Sequence, residues 1–212
     1  MEAVSDFDGF HEVPTAALGD LLGREQFMDA GIRPLWESPR LAGPAFPVRC
    51  APNDNLMLHA AIYRAKPGSV IVVESGDLDF ALAGGNVCAI ARRRGIAGFV
   101  LDGLVRDIGE IRELGFPVFG RGMIPKPGGK AATSPFYEPA TCGGVTVYPD
   151  DIVVADEDGV AVVPAPQAAT VLGDARAQLA REAAQTLDDW ERAHHARVEK
   201  LLAEAGFEDF ED

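Results

Sequence analysis

A glycine pair, a helical segment, a short apolar run and a charged turn occupy Gly84–Asp107, and this stretch constrains the fold more strongly than any other. The glycine pair suits the start of a helix, and Ala97–Leu101 is apolar enough for a short buried strand. The earlier run Ser69–Glu74 also has the composition of a buried strand. Strand, helix and strand in that order predict a parallel pair joined by a crossover helix.

The first turn of this helix is a candidate anion site. Its N–H groups have no partner within the helix, and the missing side chains at Gly84 and Gly85 would let a carboxylate or phosphate approach them. Asn86 and Val87 complete the turn. The alternative is a plain turn before a helix, which a glycine pair also favours.

Polar residues follow the apolar run, at the place where an open α/β sheet usually holds its ligand. Arg106 offers a planar fork of donors for a carboxylate or an enolate, and Asp107 offers hard oxygen ligands for a divalent cation. Asp102 lies nearer the strand and suits the fixing of a loop or a water better than contact with substrate. An ordinary surface ion pair between Arg106 and Asp107 is the alternative interpretation.

The spacing of these residues resembles the signature of the RraA-like family, which includes 4-hydroxy-4-methyl-2-oxoglutarate / 4-carboxy-4-hydroxy-2-oxoadipate aldolases and regulators of ribonuclease E activity. The signature positions are Gly84, Gly95, Gly98, Val100, Asp102, Gly103, Arg106 and Asp107. Further matches cover most of the chain and lie at Thr15–Asp20, Asn55–Leu56, Ala65–Gly68, Cys142–Val145, Pro149–Asp151 and Asp156–Val160.

The resemblance implies a fold and an assembly. We expect one α/β domain over residues 1–212, with a layered β/β/α, swivelling-domain-like core at about 13–165 and a C-terminal helical extension at about 166–205. The subunits would form a homotrimer or a homohexamer with active sites between them.

The resemblance also implies a chemistry. A divalent metal cation, Mg²⁺ or Mn²⁺, would be held at Asp107 mostly through water and would bind the carboxylate and 2-oxo group of a small 2-oxo acid substrate. Arg106 and Asp102 are the catalytic candidates, and Gly84, Gly85, Asn86, Val87 and Arg106 the substrate-binding ones. In the aldolases a glutamate from the neighbouring subunit approaches the water shell of the metal, and Glu182 is the matching candidate by position. A solvated helix carboxylate is the alternative interpretation of Glu182, and insertions would move the match to another acidic residue. The expected reaction is cleavage of a 4-hydroxy-2-oxo acid to pyruvate, with decarboxylation of oxaloacetate at the same site.

Gly85 departs from the aldolase pattern, in which an aspartate or glutamate usually stands at this position. The departure leaves the anion site intact but makes decarboxylation a close alternative to aldol cleavage. A second alternative is a non-catalytic protein that binds and regulates a ribonuclease or another partner. A third is a small-molecule-binding module, which would keep the anion site and lose the metal.

Composition limits the partners. The net charge of −14 and the pI near 4.6 argue against nucleic acid, because a basic surface is absent from the sequence pattern. The sequence has no apolar run long enough for a membrane span and no signal sequence, so we expect a cytoplasmic protein without a membrane partner. Three cysteines without a CxxC motif indicate neither a disulfide framework nor a zinc site, and Cys88 is expected as buried filler.

The sequence also allows structural predictions for three other segments. Prolines at 34, 39, 44 and 47 place Ile32–Trp36 and Phe46–Cys50 in short strands near sheet edges. The loop Arg121–Thr141 has the length of a lid or a subunit contact, and its Lys126 and Lys130 would either attract an anionic substrate or be solvated. Residues 167–205 have the composition of a long helix, broken once at most.

Overall fold

The computed structural model describes residues 7–37 and 40–207 of the chain. The strands in this part are β1 Arg33–Pro34, β2 Leu41–Arg49, β3 Val70–Glu74, β4 Ala81–Ala83, β5 Gly98–Val105, β6 Val118–Met123, β7 Ala140–Cys142, β8 Val145–Val147, β9 Ile152–Asp156 and β10 Gly159–Val163. The α-helices are α1 Thr15–Leu18, α2 Leu56–Ala61, α3 Gly85–Arg93, α4 Ile108–Leu114, α5 Ala168–Ala183 and α6 Leu187–Glu204. Short 3₁₀ turns lie at Phe7–Glu12, Arg24–Gln26 and Ala165–Gln167.

One mixed sheet organises the larger part of the chain. Its strand order is β1-β6-β5-β3-β2-β9-β10, and β4 pairs with the far end of β5. The pairs β2–β3, β3–β5, β4–β5 and β5–β6 are parallel, as the alternation of strand and helix predicts. The two outer strands, β1 and β10, approach each other, so the sheet nearly closes. The prediction of a mixed α/β fold is confirmed, whereas its layered β/β/α, swivelling-domain-like description stays a prediction.

Alternate residues of the central strands face two different hydrophobic cores, as a strand repeat of two residues requires. Ile71 and Val73 of β3 pack in the core that helices α2, α3 and α4 cover. Val70 and Val72 point the other way, into the core covered by the β7–β8 hairpin. Both faces of β3 are therefore buried, which explains its uninterrupted apolar sequence.

The prediction that the prolines confine this region to short edge strands is wrong for β2, which is a nine-residue central strand. The physical reason is a change of partner within the strand. Residues 41–44 pair with β9, whereas residues 45–49 pair with β3. Ala45 makes the last hydrogen bonds on the β9 side of β2, with residues 150 and 151, so the missing N–H of Pro47 costs no strand pairing on that side.

The chain divides into two compact units, Met1–Ala175 and Arg176–Asp212. In the second unit the helix expected over 167–205 is interrupted at residues 184–186. Thr186 caps α6, since its hydroxyl accepts the N–H of Asp189 at 3.2 Å. In the described part of the chain no helix is long and apolar enough to cross a membrane. The expected boundary between core and helical extension stays a prediction.

Candidate active site

The end of β5 carries the charged turn. The strand is longer than predicted and runs to Val105, so Asp102 and Gly103 lie inside it rather than beyond it. A register shift against β6 between Leu101 and Leu104 marks this irregular part of the strand. The sequence missed the extension because the polar Asp102 interrupts the apolar run.

Short β4 brings the glycine pair to the end of β5. Ala83 pairs with Val105, and the N–H of Arg106 donates to the carbonyl of Ala83 at 3.0 Å. A Cβ atom at Gly84 would lie 2.4 Å from Oδ2 of Asp107 and 3.0 Å from Cγ of Arg106. A side chain at position 84 would therefore displace the charged pair from its present position, and the predicted grouping of Gly84, Arg106 and Asp107 is present.

Asp107 links the two helices that begin here. Its backbone is left-handed, with φ 58°, and it forms the N-cap position of α4. Its Oδ2 accepts the N–H of Gly85 at 3.2 Å and lies 3.4 Å from Nε of Arg106. The prediction that the N–H groups of the first turn of α3, through Cys88, are free is thus wrong for Gly85, whose N–H the Asp107 carboxylate caps, and for Cys88, whose N–H donates to the carbonyl of Gly84 at 3.1 Å. The N–H groups of Asn86 and Val87 remain at the helix start, where no helical acceptor reaches them.

A small polar cavity of about 70 Å³ lies in front of this turn. Its lining combines the motif with residues of α2 and of the 121–141 loop: Asn55, His59, Ala81, Leu82, Ala83, Gly84, Asn86, Val87, Arg106, Asp107, Pro127 and Lys130. Three cationic or potentially cationic groups therefore share the cavity with one carboxylate, a combination that suits a small, multiply charged anion.

Asn55, in the wall of this cavity, has one side-chain polar atom with a hydrogen-bond partner in the described chain and one without. The residue is 4% exposed, and its Nδ2 donates to the carbonyl of Ala81 at 3.2 Å. Its Oδ1 is buried and has no hydrogen-bond partner among the described residues. A buried acceptor without a donor costs about 1–3 kcal/mol, so Oδ1 is a candidate acceptor for a donor group of a ligand.

His59 lies one helical turn beyond Asn55. Burial lowers its pKa, and the nearby Lys130 cation lowers the pKa further, although Asp54 opposes both. The ring is therefore held neutral near pH 7. His59 is half-buried and forms part of the cavity wall.

Asp54 fixes the loop that supplies Lys130. The carboxylate is 6% exposed and accepts the N–H groups of Ala131 at 2.5 Å, Ala132 at 3.1 Å and Leu56 at 2.9 Å. Burial acts to raise its pKa, but these donors and Lys130 outweigh burial, and the pKa lies below its usual value. Lys130 was expected either to attract an anionic substrate or to be solvated, and it lines the cavity. The pairing with Asp54 that brings it there has no local signal in the sequence.

Asp102 lies apart from this cavity. Its Oδ1 is 2.5 Å from Nε of Arg121, and its Oδ2 accepts the N–H of Gly143 at 2.8 Å. Arg121 also binds Asp29 through two donors at 2.9 and 2.8 Å, and this pairing lowers the pKa of Asp29. Asp102 is absent from the cavity lining, so its contacts are those of a residue that fixes a loop.

Glu110 lies against the second glycine of the pair. A Cβ atom at Gly85 would be 1.9 Å from Oε2 of Glu110 and 2.9 Å from its Cδ. The carboxyl group of Glu110 therefore occupies the volume that any side chain at position 85 would need. This residue was missed because it lies on α4, one turn after Asp107, with nothing in the sequence to direct it toward Gly85.

The remaining candidates lie elsewhere. Glu182 belongs to the second unit, where its Oε1 accepts from Nε2 of Gln178 at 2.9 Å. Cys88 is fully buried, as expected, and burial raises its pKa to about 12. A larger cleft of about 700 Å³ lies near the start of β3, beside Phe46 and Tyr137, and contains no residue of the Gly84–Asp107 motif.

The part of the chain that the structure describes contains no group of three or more Asp, Glu, His or Cys side chains that could hold a metal ion. Asp107 is accordingly a single hard ligand at the edge of the cavity, with 39% of its side chain exposed. One carboxylate suits Mg²⁺ that keeps most of its water molecules, and it does not suit a fully protein-built cage.

Comparison with known proteins points to one family. Residues 4–162 match the RraA-like family model, described as Aldolase/RraA. A Halalkalibacterium halodurans protein provisionally named 4-hydroxy-4-methyl-2-oxoglutarate aldolase is 38% identical over 196 residues, which cover 91% of this chain and 93% of that protein. A Burkholderia multivorans protein with the same provisional name is 34% identical over 161 residues, or 76% of this chain and 94% of that protein.

A solved structure gives the same assignment. The crystal structure of RraAS2 from Streptomyces coelicolor, described as an unusual member of the RNase ES inhibitor RraA protein family, matches with a TM-score of 0.73 and 26% identity. The match covers 93% of this chain and 100% of that one. With a family match over most of its length and relatives above 30% identity, the chain belongs to the RraA-like family.

Proposed function

We propose that the chain is a divalent-metal-dependent lyase that cleaves a 4-hydroxy-2-oxo acid to pyruvate and decarboxylates oxaloacetate at the same site. The observation that carries the proposal is the polar cavity, in which the first turn of α3, Arg106 and Asp107 lie together. The aldolase names of the two relatives support the aldol reaction.

The pyruvyl carboxylate of the substrate would bind at the start of α3. Asn86 and Val87 line the cavity, their N–H groups lie in the first turn of α3, and the helix dipole favours negative charge there. Arg106 stands beside the same turn, within contact range of a Cβ at Gly84. This arrangement would orient the 2-oxo group toward Asp107.

Asp107 would hold the cation, Mg²⁺ or Mn²⁺. When bound, the cation would polarise the 2-oxo group and so favour the negative charge that develops when the carbon–carbon bond breaks. Arg106 would stabilise the same developing charge, since its guanidinium offers donors in a plane that fits an enolate. Loss of CO₂ from oxaloacetate passes through the same pyruvate enolate, so one arrangement serves both reactions.

The far wall of the cavity would select the rest of the substrate. Lys130 offers a cation for a second carboxylate, and the unpartnered Oδ1 of Asn55 would accept a hydrogen bond from a substrate hydroxyl. A substrate with a hydroxyl and two charged ends would satisfy both groups. Oxaloacetate lacks that hydroxyl donor, which favours the hydroxy acid as the better-bound substrate.

The test is an assay of pyruvate release from 4-hydroxy-4-methyl-2-oxoglutarate and from oxaloacetate, with Mg²⁺, with Mn²⁺ and with EDTA. We expect metal-dependent turnover of both, with the hydroxy acid giving the lower KM. Asn55→Ala should raise the KM for the hydroxy acid more than the KM for oxaloacetate. Full turnover in EDTA, or no turnover of either acid with any metal, would contradict the proposal.

We further propose a homotrimer or homohexamer whose sites lie between subunits, with Glu182 reaching the metal's water shell from the neighbouring chain. One protein carboxylate is few for a well-held cation, which is the physical reason to expect a second from elsewhere. The non-catalytic ribonuclease regulator is not favoured, because a binding protein has no need for a carboxylate beside an anion site and the closely similar relatives carry aldolase names.

A further inference from the structure

Cleavage of a 4-hydroxy-2-oxo acid requires a group that removes the hydroxyl proton. Of the described residues that line the cavity, those with an ionisable side chain are His59, Arg106, Asp107 and Lys130. Arg106 and Lys130 are cations and have no free electron pair for a proton. The Asp107 carboxylate accepts the Gly85 N–H, lies 3.4 Å from Nε of Arg106 and is the proposed cation ligand. The imidazole of His59 is therefore the group in this lining that can act as the base.

The position of His59 on α2 suits this task. Its N–H donates to the carbonyl of Asn55 at 3.2 Å, so the two residues lie one helical turn apart. Side chains four positions apart share one face of a helix, and both residues line the cavity. The buried Oδ1 of Asn55, which has no partner among the described residues, can accept a hydrogen bond from the 4-hydroxyl group. An amide oxygen is too weakly basic to keep the proton, whereas a neutral imidazole on the same face can take it.

The charges around His59 favour a neutral ring that can become cationic. Burial and the Lys130 cation lower its pKa, and the Asp54 carboxylate acts in the opposite direction. Arg106 and Asp107 face the cavity from the end of β5 with one charge of each sign. Three backbone N–H groups hold the Asp54 carboxylate in place, so it can stabilise the imidazolium that forms. A substrate carboxylate bound at Lys130 would offset that cation and make His59 more basic when the substrate is present.

We propose that His59 is the proton acceptor for the 4-hydroxyl group of the substrate. This inference rests on the proposed aldolase function and specifies its base. The imidazole takes the hydroxyl proton, the C4–O bond becomes a carbonyl, and the C3–C4 bond breaks. The electron pair of that bond passes to C3 and forms the pyruvate enolate, and the proton on the imidazolium then returns to C3. No other reactant is needed.

Oxaloacetate separates this role from substrate binding, because its decarboxylation has no hydroxyl proton to remove. The experiment measures kcat and KM for both acids in the wild type, His59→Gln and His11→Gln. Glutamine keeps hydrogen-bonding groups at position 59 but cannot hold the proton. His11 is exposed in the 3₁₀ turn Phe7–Glu12, so it controls for the loss of a histidine elsewhere. We expect the ratio of aldol kcat to decarboxylation kcat to fall by about 100-fold in His59→Gln and to stay unchanged in His11→Gln.

Added imidazole distinguishes a chemical role from a structural one. His59→Ala opens space in the cavity wall, and free imidazole should restore part of the aldol kcat in proportion to its neutral fraction. Binding of oxalate with Mg²⁺, measured by calorimetry, should stay close to the wild type in His59→Gln, because Arg106, Asp107 and the start of α3 are unchanged. Loss of that binding would instead give His59 a structural role and overturn the inference.

The pH dependence of aldol cleavage gives an independent test. Because His59 must be neutral to accept the proton, kcat/KM of the wild type should fall in acid, through a pKa below the usual 6.5. Lys130→Gln removes the cation that lowers this pKa, so the acid limb should move to higher pH. In the wild type the acid limb of kcat, which reports the substrate complex, should lie at higher pH than that of kcat/KM.

Four further results would overturn the inference. These are an unchanged ratio in His59→Gln, no rescue of His59→Ala by imidazole, an acid limb that Lys130→Gln leaves in place, and a wild type that decarboxylates but cannot cleave the hydroxy acid. A wild type inactive on both acids would instead overturn the proposed function and the base with it.

Discussion

Nε of Arg121 lies 2.5 Å from Oδ1 of Asp102, and less than a quarter of either side chain is exposed, at 23% and 22%. The pair joins β5 to β6 and, through the N–H of Gly143, to the β7–β8 hairpin. Because the pair lies away from the cavity, we expect its loss to change the stability of the fold rather than the activity.

Asp102→Ala should lower the free energy of unfolding by about 1–3 kcal/mol, because it leaves Nε of Arg121 and the N–H of Gly143 without their acceptor. Chemical denaturation measures the loss, and kcat should stay near wild type at low temperature. Asp29→Ala is the matched control and should cost less, since Asp29 is half exposed. A large loss of kcat at unchanged stability would instead indicate that Asp102 takes part in catalysis.

Asp107→Asn should abolish turnover while the fold survives. Asparagine also adopts the left-handed backbone that Asp107 has at φ 58°, so α4 can still begin there, but the amide is a weaker cation ligand. Activity over a Mg²⁺ titration, with circular dichroism as the fold control, tests this. Wild-type activity in the variant would remove Asp107 from the metal site.

Arg106→Lys should damage turnover far more than the retained charge suggests. A lysine ammonium cannot reproduce the planar two-point contact, so the loss should appear mainly in kcat if Arg106 acts on the enolate. The control is Arg112→Lys on the exposed side of α4. An effect confined to KM would make Arg106 a substrate anchor.

Glu182 can be tested by mixing inactive subunits. Asp107→Ala and Glu182→Ala chains are dissociated, combined and reassembled, and pyruvate release is measured. If Glu182 acts across an interface, mixed assemblies contain some sites with both native residues and regain activity. Full activity of Glu182→Ala alone, or no recovery on mixing, would reject this residue as the shared ligand.

Asp54 predicts a pH dependence of stability. Its folded pKa lies below the usual 3.8, so the carboxylate stabilises the fold fully above that pH and loses the effect as the pH falls through the lower folded pKa. The stability difference between wild type and Asp54→Asn should therefore be largest near neutral pH and shrink in acid. Asp54→Asn keeps the shape of the side chain and removes its titration, so the difference isolates the carboxylate. A stability difference that does not change with pH would contradict this prediction.

The parts of the site that are close in sequence were predictable. The glycine pair, the charged turn and the buried strand between them lie within one stretch, and their order alone places Gly84 near Arg106. The mixed α/β fold followed from the same alternation. These features depend on local geometry, which a single sequence records.

The parts that were not predicted depend on contacts between distant residues. Lys130 reaches the cavity because Asp54 binds the backbone 77 and 78 positions later, and no local pattern records that pairing. Glu110 meets Gly85 only because two helices start side by side. The central position of β2 was missed because its prolines were weighed without knowing where the strand changes partner.

The loop Arg121–Thr141 was expected as a lid or a subunit contact, and in the described chain it is tied down along its length. The N–H of Ala81 donates to Lys126, Asp54 binds Ala131 and Ala132, and the Ser134 hydroxyl donates to the carbonyl of Arg49. The conformational entropy of this segment is thus already lost when the chain folds. A substrate that enters beside Lys130 need not order the loop, so association should follow a single step whose rate rises linearly with substrate concentration, without the slow closing step of a lidded enzyme.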